Sequence, residues 1–287
     1  GTRNLERNLR RLLGPGGTDA QLRALSKAGM RSYMRYFYEM FRLPAMGEEY
    51  ILSHTRAIGV EVLKKHVRSG RGVVVALPHM GNWDHAGAWI TLQGIPLTTI
   101  AQRLRPESLF RRFTTYRESL GMEVLPLTGG ANTVGTLARR LRAGGLVCLL
   151  ADRDIQGTGL EVDFFGESAR MPSGPAALAL STGAALMPVS LWYDGPWWNI
   201  RVHDEIPPAP GESRARRIHD TTQELARVFE GVIAEHPEDW HMLQAVFNAD
   251  HEAEHVRGRD LEARAMTGAG GRPGTPVTKD VGEGRHP

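Results

Sequence analysis

The residues best suited to chemistry in this chain are a histidine and several carboxylates that follow apolar runs. His79 lies in the segment Pro-His-Met-Gly-Asn-Trp-Asp-His at 78–85, and Asp84 follows it five residues later. A histidine can act as a general base near neutral pH when a carboxylate fixes its tautomer and stabilises the imidazolium. Asp152, in the segment Asp-Arg-Asp at 152–154, could serve equally well, and the spacing does not decide between the two acids.

Other functions would use part of the same pattern. His79, Asp84 and His85 could bind Zn²⁺ with one open coordination position, as in a metal-dependent hydrolase. A non-catalytic module that binds membranes through basic residues is a third possibility. A serine hydrolase is not supported, because the nearest candidate for a Gly-x-Ser-x-Gly elbow, at 166–170, ends in arginine.

Apolar runs that alternate with amphipathic segments predict how these residues are positioned. We expect strands at 73–77, 97–101, 122–127, 146–151 and 186–193. We expect helices at 1–17, 18–43, 56–68, 106–120, 133–143, 173–182 and 214–235. This alternation is typical of an α/β fold with a central, mostly parallel sheet covered by helices on both faces. Functional residues in such sheets gather beyond the carboxyl ends of the strands.

Length and composition indicate a globular domain. The chain has 287 residues, of which 41% are hydrophobic and 23% are charged, so it can bury a core. We expect an amphipathic helix at 1–17, one domain at 18–250 and a charged, glycine-rich, disordered tail at 251–287. The formal net charge of +3 gives no global basic field that would indicate nucleic acid. Because Cys148 is the only cysteine, an intrachain disulfide and a cysteine-cluster metal site are excluded.

Several motifs resemble those of lipid-modifying acyltransferases. The run Leu-Pro-His-Met-Gly-Asn-Trp-Asp at 77–84 resembles the signature of the lysophospholipid acyltransferase superfamily, in the branch that contains the lipid A biosynthesis acyltransferases. Other segments resemble the actinobacterial phosphatidylinositol mannoside acyltransferases, and they lie at 105–113, 116–121, 123–130, 162–167, 171–175 and 239–244. The similarity is collinear over roughly residues 30–248.

The resemblance implies a glycerolipid-acyltransferase-like fold and a reaction. A long-chain acyl group of the palmitoyl type would move from acyl-CoA, a co-substrate, to the mannose 6-hydroxyl of a phosphatidylinositol mannoside. Another glycolipid, of the lipid A type, is the alternative acceptor. No other cofactor is implied, and the protein would be a monomer bound peripherally to the cytoplasmic face of the cell membrane.

The resemblance also implies roles for individual residues. The family carries Glu-Arg-Asp where this chain has Asp-Arg-Asp at 152–154, and its first acid partners the histidine. Catalytic roles are implied for His79, Asp84, Asp152 and Arg117. Substrate-binding roles are implied for Asn82, Trp83, Arg103, Arg105, Arg153, Trp240 and His241. Arginines suit the phosphates of both substrates, and the candidates for lining an acyl groove are Tyr33, Tyr36, Phe37, Met40 and the stretch 83–89.

Overall fold

Helices and strands alternate along most of the chain in the computed structural model, which describes residues 1–103, 105–128 and 132–251. The helices are α1 (Thr2–Leu13), α2 (Asp19–Arg42), α3 (Glu48–Ser53), α4 (Val60–Arg68), α5 (Trp83–Leu92), α6 (Glu107–Ser119), α7 (Thr133–Arg142), α8 (Gly174–Thr182) and α9 (Arg214–Glu235). The strands are β1 (Thr55–Ile58), β2 (Val73–Leu77), β3 (Leu97–Ala101), β4 (Met122–Pro126), β5 (Leu146–Leu150), β6 (Leu160–Phe164), β7 (Glu167–Met171), β8 (Ala185–Asp194) and β9 (Trp197–Val202). Residues Gly1–Asn248 form one unit, which contains all of these elements. The tail predicted to be disordered falls, except for its first residue, outside the described residues.

Seven strands form one sheet in the order β1-β9-β8-β2-β5-β3-β4. Neighbouring strands are parallel except for β8 and β9, which form an antiparallel hairpin. Helices flank this sheet, which confirms the predicted α/β fold with a mostly parallel centre. Every residue of β2 is buried. All five side chains are apolar, so the strand can be covered on both faces.

Short, partly exposed strands were not predicted. The helix expected at 56–68 begins instead at Val60, because Thr55–Ile58 forms the edge strand β1, which pairs with β9. Three residues of β1 are exposed, so it carries no apolar run. β6 and β7 form a separate antiparallel hairpin in which charged residues alternate with buried ones. Sequence patterns reveal buried strands more readily than such edges.

The register between β2 and β5 determines which side chains meet at the edge of the sheet. Leu77 pairs with Leu150, and the N–H of Ala151 donates to the carbonyl of Leu77 at 2.9 Å. His79 lies two residues after the end of β2, and Asp152 lies two residues after the end of β5. After β2 the chain continues to β3, on one side of this pair of strands, and after β5 it goes on to join the sheet again at β8, on the other side. The two connections therefore run in opposite directions along the sheet. Ligands of open α/β sheets bind at such positions.

Candidate active site

Asp152 holds the imidazole of His79. The Nδ1 atom of His79 lies 2.6 Å from Oδ1 of Asp152, and the backbone N–H of His79 donates to Oδ2 at 2.9 Å. Because an ionised carboxylate only accepts, Nδ1 carries the proton and Nε2 keeps a free lone pair. The side chain of Asp152 is fully buried, whereas that of His79 is 18% exposed. The geometry therefore presents a basic nitrogen at the surface of the site and a fixed acid behind it.

The electrostatics keep Asp152 ionised. Burial alone would raise the pKa of this carboxyl, but the charge of His79 and the hydrogen bonds from His79 and Trp240 hold the pKa below its ordinary value. The indole N–H of Trp240 donates to Oδ2 of Asp152 at 2.8 Å. A carboxylate held ionised in this way can stabilise an imidazolium when His79 takes up a proton.

Asp84 contacts a different set of side chains. Nε of Arg117 donates to Oδ1 of Asp84 at 2.7 Å, and the hydroxyl of Tyr36 donates to Oδ2 at 2.8 Å. Burial disfavours the charged guanidinium of Arg117, but the carboxylate of Asp84 raises the pKa of Arg117 above its usual value. The sequence did not decide which acid partners His79. In the structure, Asp152 contacts the imidazole and Asp84 contacts Arg117.

Asn82 belongs to the framework of the site. Its Oδ1 accepts from the N–H of His85 at 2.9 Å and so caps α5. Its Nδ2 donates to Oε2 of Glu39 at 2.9 Å, and the same oxygen accepts from the indole of Trp198 at 2.8 Å. The amide is thus occupied at both ends, which suits a positioning role better than the substrate contact that the resemblance implied. Glu39 itself had no signal in the sequence, because it lies in an ordinary amphipathic helix.

A C-terminal segment clamps the turn that carries His79. Met80 and Trp240 form an isolated antiparallel bridge, and the N–H of His241 donates to the carbonyl of His79 at 2.7 Å. The N–H of Gly81 donates to the carbonyl of Asp239 at 3.0 Å. Trp240, for which the resemblance implied substrate binding, is fully buried, and its indole N–H donates to Asp152.

Two buried polar atoms near His79 have no partner among the residues that the structure describes. Burial lowers the pKa of His241 to about 3, so its imidazole is neutral. Ser32 donates its only hydroxyl proton to Asp239, so the Nε2–H of His241, 2.8 Å from Ser32 Oγ, must be the donor in that pair. Nδ1 of His241 is then an unused acceptor, and Nε1 of Trp83 is an unused donor. The ring centroid of Trp83 lies 5.6 Å from that of His79.

The predicted arginines do not converge on one point. The guanidinium of Arg117 is buried against Asp84, and Arg153 is half-buried beside Asp152. Arg103 and Arg105 are exposed ahead of α6, and Nε of Arg103 donates to Oε2 of Glu107 at 2.9 Å. Arg153 is therefore the one of these four that lies beside the His79–Asp152 pair, whereas Arg117 lies against Asp84.

The alternative metal site does not assemble. Asp84 is engaged by Arg117 and Tyr36, and the ring of His85 stacks on that of Trp198 with centroids 4.0 Å apart. In the part of the chain that the structure describes, no group of three His, Cys, Asp or Glu side chains is arranged to hold a metal ion. The geometry thus gives no support to a hydrolase built on His79, Asp84 and His85.

None of the described helices combines the length and the apolar character needed to span a bilayer.

An apolar cavity of about 100 Å³ lies between the sheet and helices α4 and α5. Trp83, Asp84 and Arg117 line it together with apolar residues such as Leu77 and Leu150. Most of the predicted stretch 83–89 is therefore in its wall. The candidates on α2 are not among the residues that line the cavity. One of them, Tyr36, packs on Trp83 with ring centroids 4.1 Å apart.

Replacing Trp240 by phenylalanine should lower the free energy of unfolding at pH 7 by about 1.5–3 kcal/mol, the usual contribution of a hydrogen bond to a charged group. The lost donor raises the pKa of Asp152 towards its ordinary value. A carboxyl with a lowered pKa stabilises the folded state at pH values above the ordinary pKa of an aspartate. This contribution is lost as the pH falls through the pKa of the carboxyl in the folded protein. Urea unfolding at pH 7 and in acid should show a difference that shrinks in acid. A difference independent of pH, or one matched by Trp89→Phe, would contradict this.

Comparison with known proteins places these features in a family context. The family model for the bacterial lipid A biosynthesis acyltransferases matches residues 1–249. The chain is 48% identical over 251 residues to the phosphatidylinositol mannoside acyltransferase of Mycolicibacterium smegmatis, covering 87% of this chain and 81% of that protein. It is 46% identical over 255 residues to the phosphatidylinositol mannoside acyltransferase of Mycobacterium tuberculosis strain CDC 1551 / Oshkosh, covering 87% of this chain and 78% of that protein.

Proposed function

Because the chain belongs to the bacterial lipid A biosynthesis acyltransferase family, we propose that it transfers a long-chain, palmitoyl-type acyl group from acyl-CoA to the mannose 6-hydroxyl of a phosphatidylinositol mannoside. The single observation that carries the proposal is the 2.6 Å contact between His79 Nδ1 and Asp152 Oδ1, which leaves Nε2 available as a base. The acceptor class comes from the relatives, which are named for it.

In the proposed reaction, Nε2 of His79 takes the proton of the sugar hydroxyl. The oxygen attacks the thioester carbonyl, and Asp152 stabilises the imidazolium that forms. The new C–O ester bond then replaces the C–S bond, and the imidazolium returns the proton to the departing CoA sulfur. No acyl-enzyme is required, so the protein contributes mainly orientation and one proton transfer.

The surroundings of His79 suit a polyhydroxylated acceptor. Trp83, Tyr33 and His241 form an aromatic cluster beside this histidine, with the centroids of Tyr33 and His241 5.5 Å apart and those of Trp83 and His241 6.2 Å apart. The unused acceptor on His241 and the unused donor on Trp83 are the kind of partners that sugar hydroxyls need. Buried polar atoms without partners are costly, and a bound sugar would relieve that cost.

The cavity beneath α5 is the proposed site of the donor's acyl chain. Its volume of about 100 Å³ is well below the roughly 300 Å³ at which ligand pockets begin, so a long chain must widen it. Met122 lines the cavity, and its methyl group is 2.5 Å from the position that a Cβ on Gly87 would take, so it fills the space beside that glycine. A flexible methionine can change rotamer at low cost and so admit a chain.

Peripheral contact with the cytoplasmic face of the membrane forms part of the proposal. Met34, Tyr38 and Phe41 are 58%, 60% and 77% exposed, and they follow helical spacing along α2. An exposed apolar stripe on an otherwise charged helix suits the interface of a bilayer. The opposite face of α2 carries Tyr36, which contacts Asp84 in the site.

A panel of acceptors tests the proposed function. Purified protein with palmitoyl-CoA should acylate a phosphatidylinositol mannoside on its mannose, as detected by mass spectrometry of the intact and fragmented lipid. A lipid A precursor in the same assay should not react. Acylation of the lipid A precursor alone would shift the assignment to the other acceptor, and no transfer to any acceptor would overturn it.

Trp83→Phe should raise the KM for the acceptor about 2- to 10-fold, the range expected for one neutral hydrogen bond. The ring face is kept and only the unused donor is lost. Because Trp83 also lines the cavity proposed for the acyl chain, the KM for acyl-CoA should rise less than that for the acceptor. Trp197→Phe, in β9, is the matched control. An unchanged acceptor KM, or an equal rise in the donor KM, would remove Trp83 from the sugar site.

A further inference from the structure

A second, larger cavity lies beside the Asp152–Arg153 turn, and the proposed reaction does not use it. Its volume is about 430 Å³, within the roughly 300–1,000 Å³ typical of ligand pockets. α7, α8, the end of β5 and the loop after β5 form its walls. The lining is mainly apolar and includes Leu137, Leu149, Ile155, Pro175 and Leu178, which define what we term the α7–α8 groove.

Two cationic side chains line the α7–α8 groove at more than ion-pair distance from any described carboxylate. Arg153 and Arg214 both belong to its wall, and neither forms an ion pair among the residues that the structure describes. Asp154 is the one acid in the wall, and its carboxylate accepts backbone N–H groups of Gln156, Gly157 and Gly159 at 3.1, 3.0 and 2.6 Å. The acid therefore shapes its own loop, and the guanidinium groups remain available to an anion.

The α7–α8 groove also lies next to the His79–Asp152 pair. Arg153 follows Asp152 directly and lies within electrostatic reach of both Asp152 and Tyr33. Tyr33 is the residue whose ring contacts that of His241. Ile100 and Leu150 line both this groove and the cavity beneath α5. An occupant could therefore extend from His79, past Arg153, into the groove.

We propose that the α7–α8 groove binds the phospholipid part of the acceptor, with its phosphate against Arg153 and Arg214 and a fatty chain along the apolar wall. The inference rests on the proposed function. It selects the acceptor because the order of groups fits: a hydroxyl at His79, then a phosphate, then a chain. In acyl-CoA the chain begins at the reacting carbonyl and the phosphates lie at the opposite end, so its chain would have to pass the arginines first.

Two acceptors and a blocking variant test this. One acceptor is the intact phosphatidylinositol mannoside in mixed micelles, and the other is its deacylated form, which keeps the mannose, inositol and phosphate. Val134, on α7, is 69% exposed and lines the groove, so Val134→Trp can obstruct it with little risk to folding. Val62→Trp, at a residue of α4 that is 50% exposed and outside the groove, is the matched control.

Val134→Trp should raise the KM for the intact lipid about tenfold or more, since several methylenes lose their burial. The KM values for the deacylated acceptor and for acyl-CoA should stay within about twofold, and Val62→Trp should change none of the three. Arg214→Glu should raise the KM for both acceptors, because both keep the phosphate, and leave that for acyl-CoA unchanged.

The outcomes distinguish a failure of the proposed function from a failure of the groove assignment. If the wild-type protein acylates neither acceptor, the proposed function fails. If it acylates both with one KM, or if Val134→Trp changes neither acceptor KM, the function stands and the groove is not the lipid site. A rise in the KM for acyl-CoA alone would assign the groove to the donor and overturn the inference.

Discussion

Replacing His79 by alanine should lower kcat for acyl transfer by about 10²- to 10⁴-fold, the range that a positioned general base contributes. The sugar hydroxyl is a weak nucleophile until its proton is removed, and Nε2 of His79 is the proposed acceptor of that proton. The KM values for both substrates should change little, because the cavity beneath α5 and the aromatic faces remain. The measurement is the initial rate with palmitoyl-CoA and the mannoside at saturation.

The controls must separate lost chemistry from lost folding. His79→Ala leaves the ionised, fully buried Asp152 without its main partner, which is destabilising. His79→Asn places an amide N–H close to the position of Nδ1, so it can still donate to Asp152 but cannot act as a base. Both variants should lose activity equally, and the asparagine variant should keep more of its stability. His66→Ala, on α4, should retain full activity, and a normal rate in either His79 variant would remove this residue from the base role.

Replacing Asp152 by asparagine should lower kcat by about 10²- to 10⁴-fold while leaving the fold intact. The carboxylate now accepts from Nδ1 of His79, from the backbone N–H of His79 and from the indole of Trp240. An amide can accept on one side only. Either its NH₂ faces the two N–H donors, or it faces Nδ1 and favours the tautomer whose proton sits on Nε2. A histidine in that tautomer cannot take the proton of the sugar hydroxyl.

Asp84→Asn is the contrasting variant for the assignment of the acid. It removes the charge opposite Arg117 and should reduce stability, since a buried guanidinium loses its partner. It leaves the tautomer of His79 unchanged, so its effect on kcat should be much smaller than that of Asp152→Asn. The reverse order of the two effects on kcat would show that Asp84, and not Asp152, supports the base.

The strands that carry the site could be read from the sequence because they are buried on both faces. The apolar runs that became β2 and β5 predicted that His79 and Asp152 lie at the same edge of the sheet. Their direct contact depends on those strands being neighbours in a matched register, with Leu77 opposite Leu150. Neither strand order nor register has a local signal, so the choice between Asp84 and Asp152 stayed open.

The side chains that hold the site residues in place are harder to predict from the sequence. Trp240 is 88 residues away from Asp152 in the chain, and nothing in its neighbourhood predicts a hydrogen bond to that acid. Glu39 accepts from Asn82 and Trp198, which belong to two other parts of the fold. Motif resemblance pointed to Asn82 and Trp240 as important, but it could not distinguish contact with a substrate from support of a catalytic residue.

We propose that His79 and Asp152 act as one catalytic unit, and a double-mutant cycle on kcat tests this most directly. If the acid acts only through the imidazole, adding Asp152→Asn to His79→Ala should change the residual rate by less than about threefold. A further loss of about 100-fold or more, comparable to that of Asp152→Asn alone, would mean that the two residues contribute independently and would contradict the account.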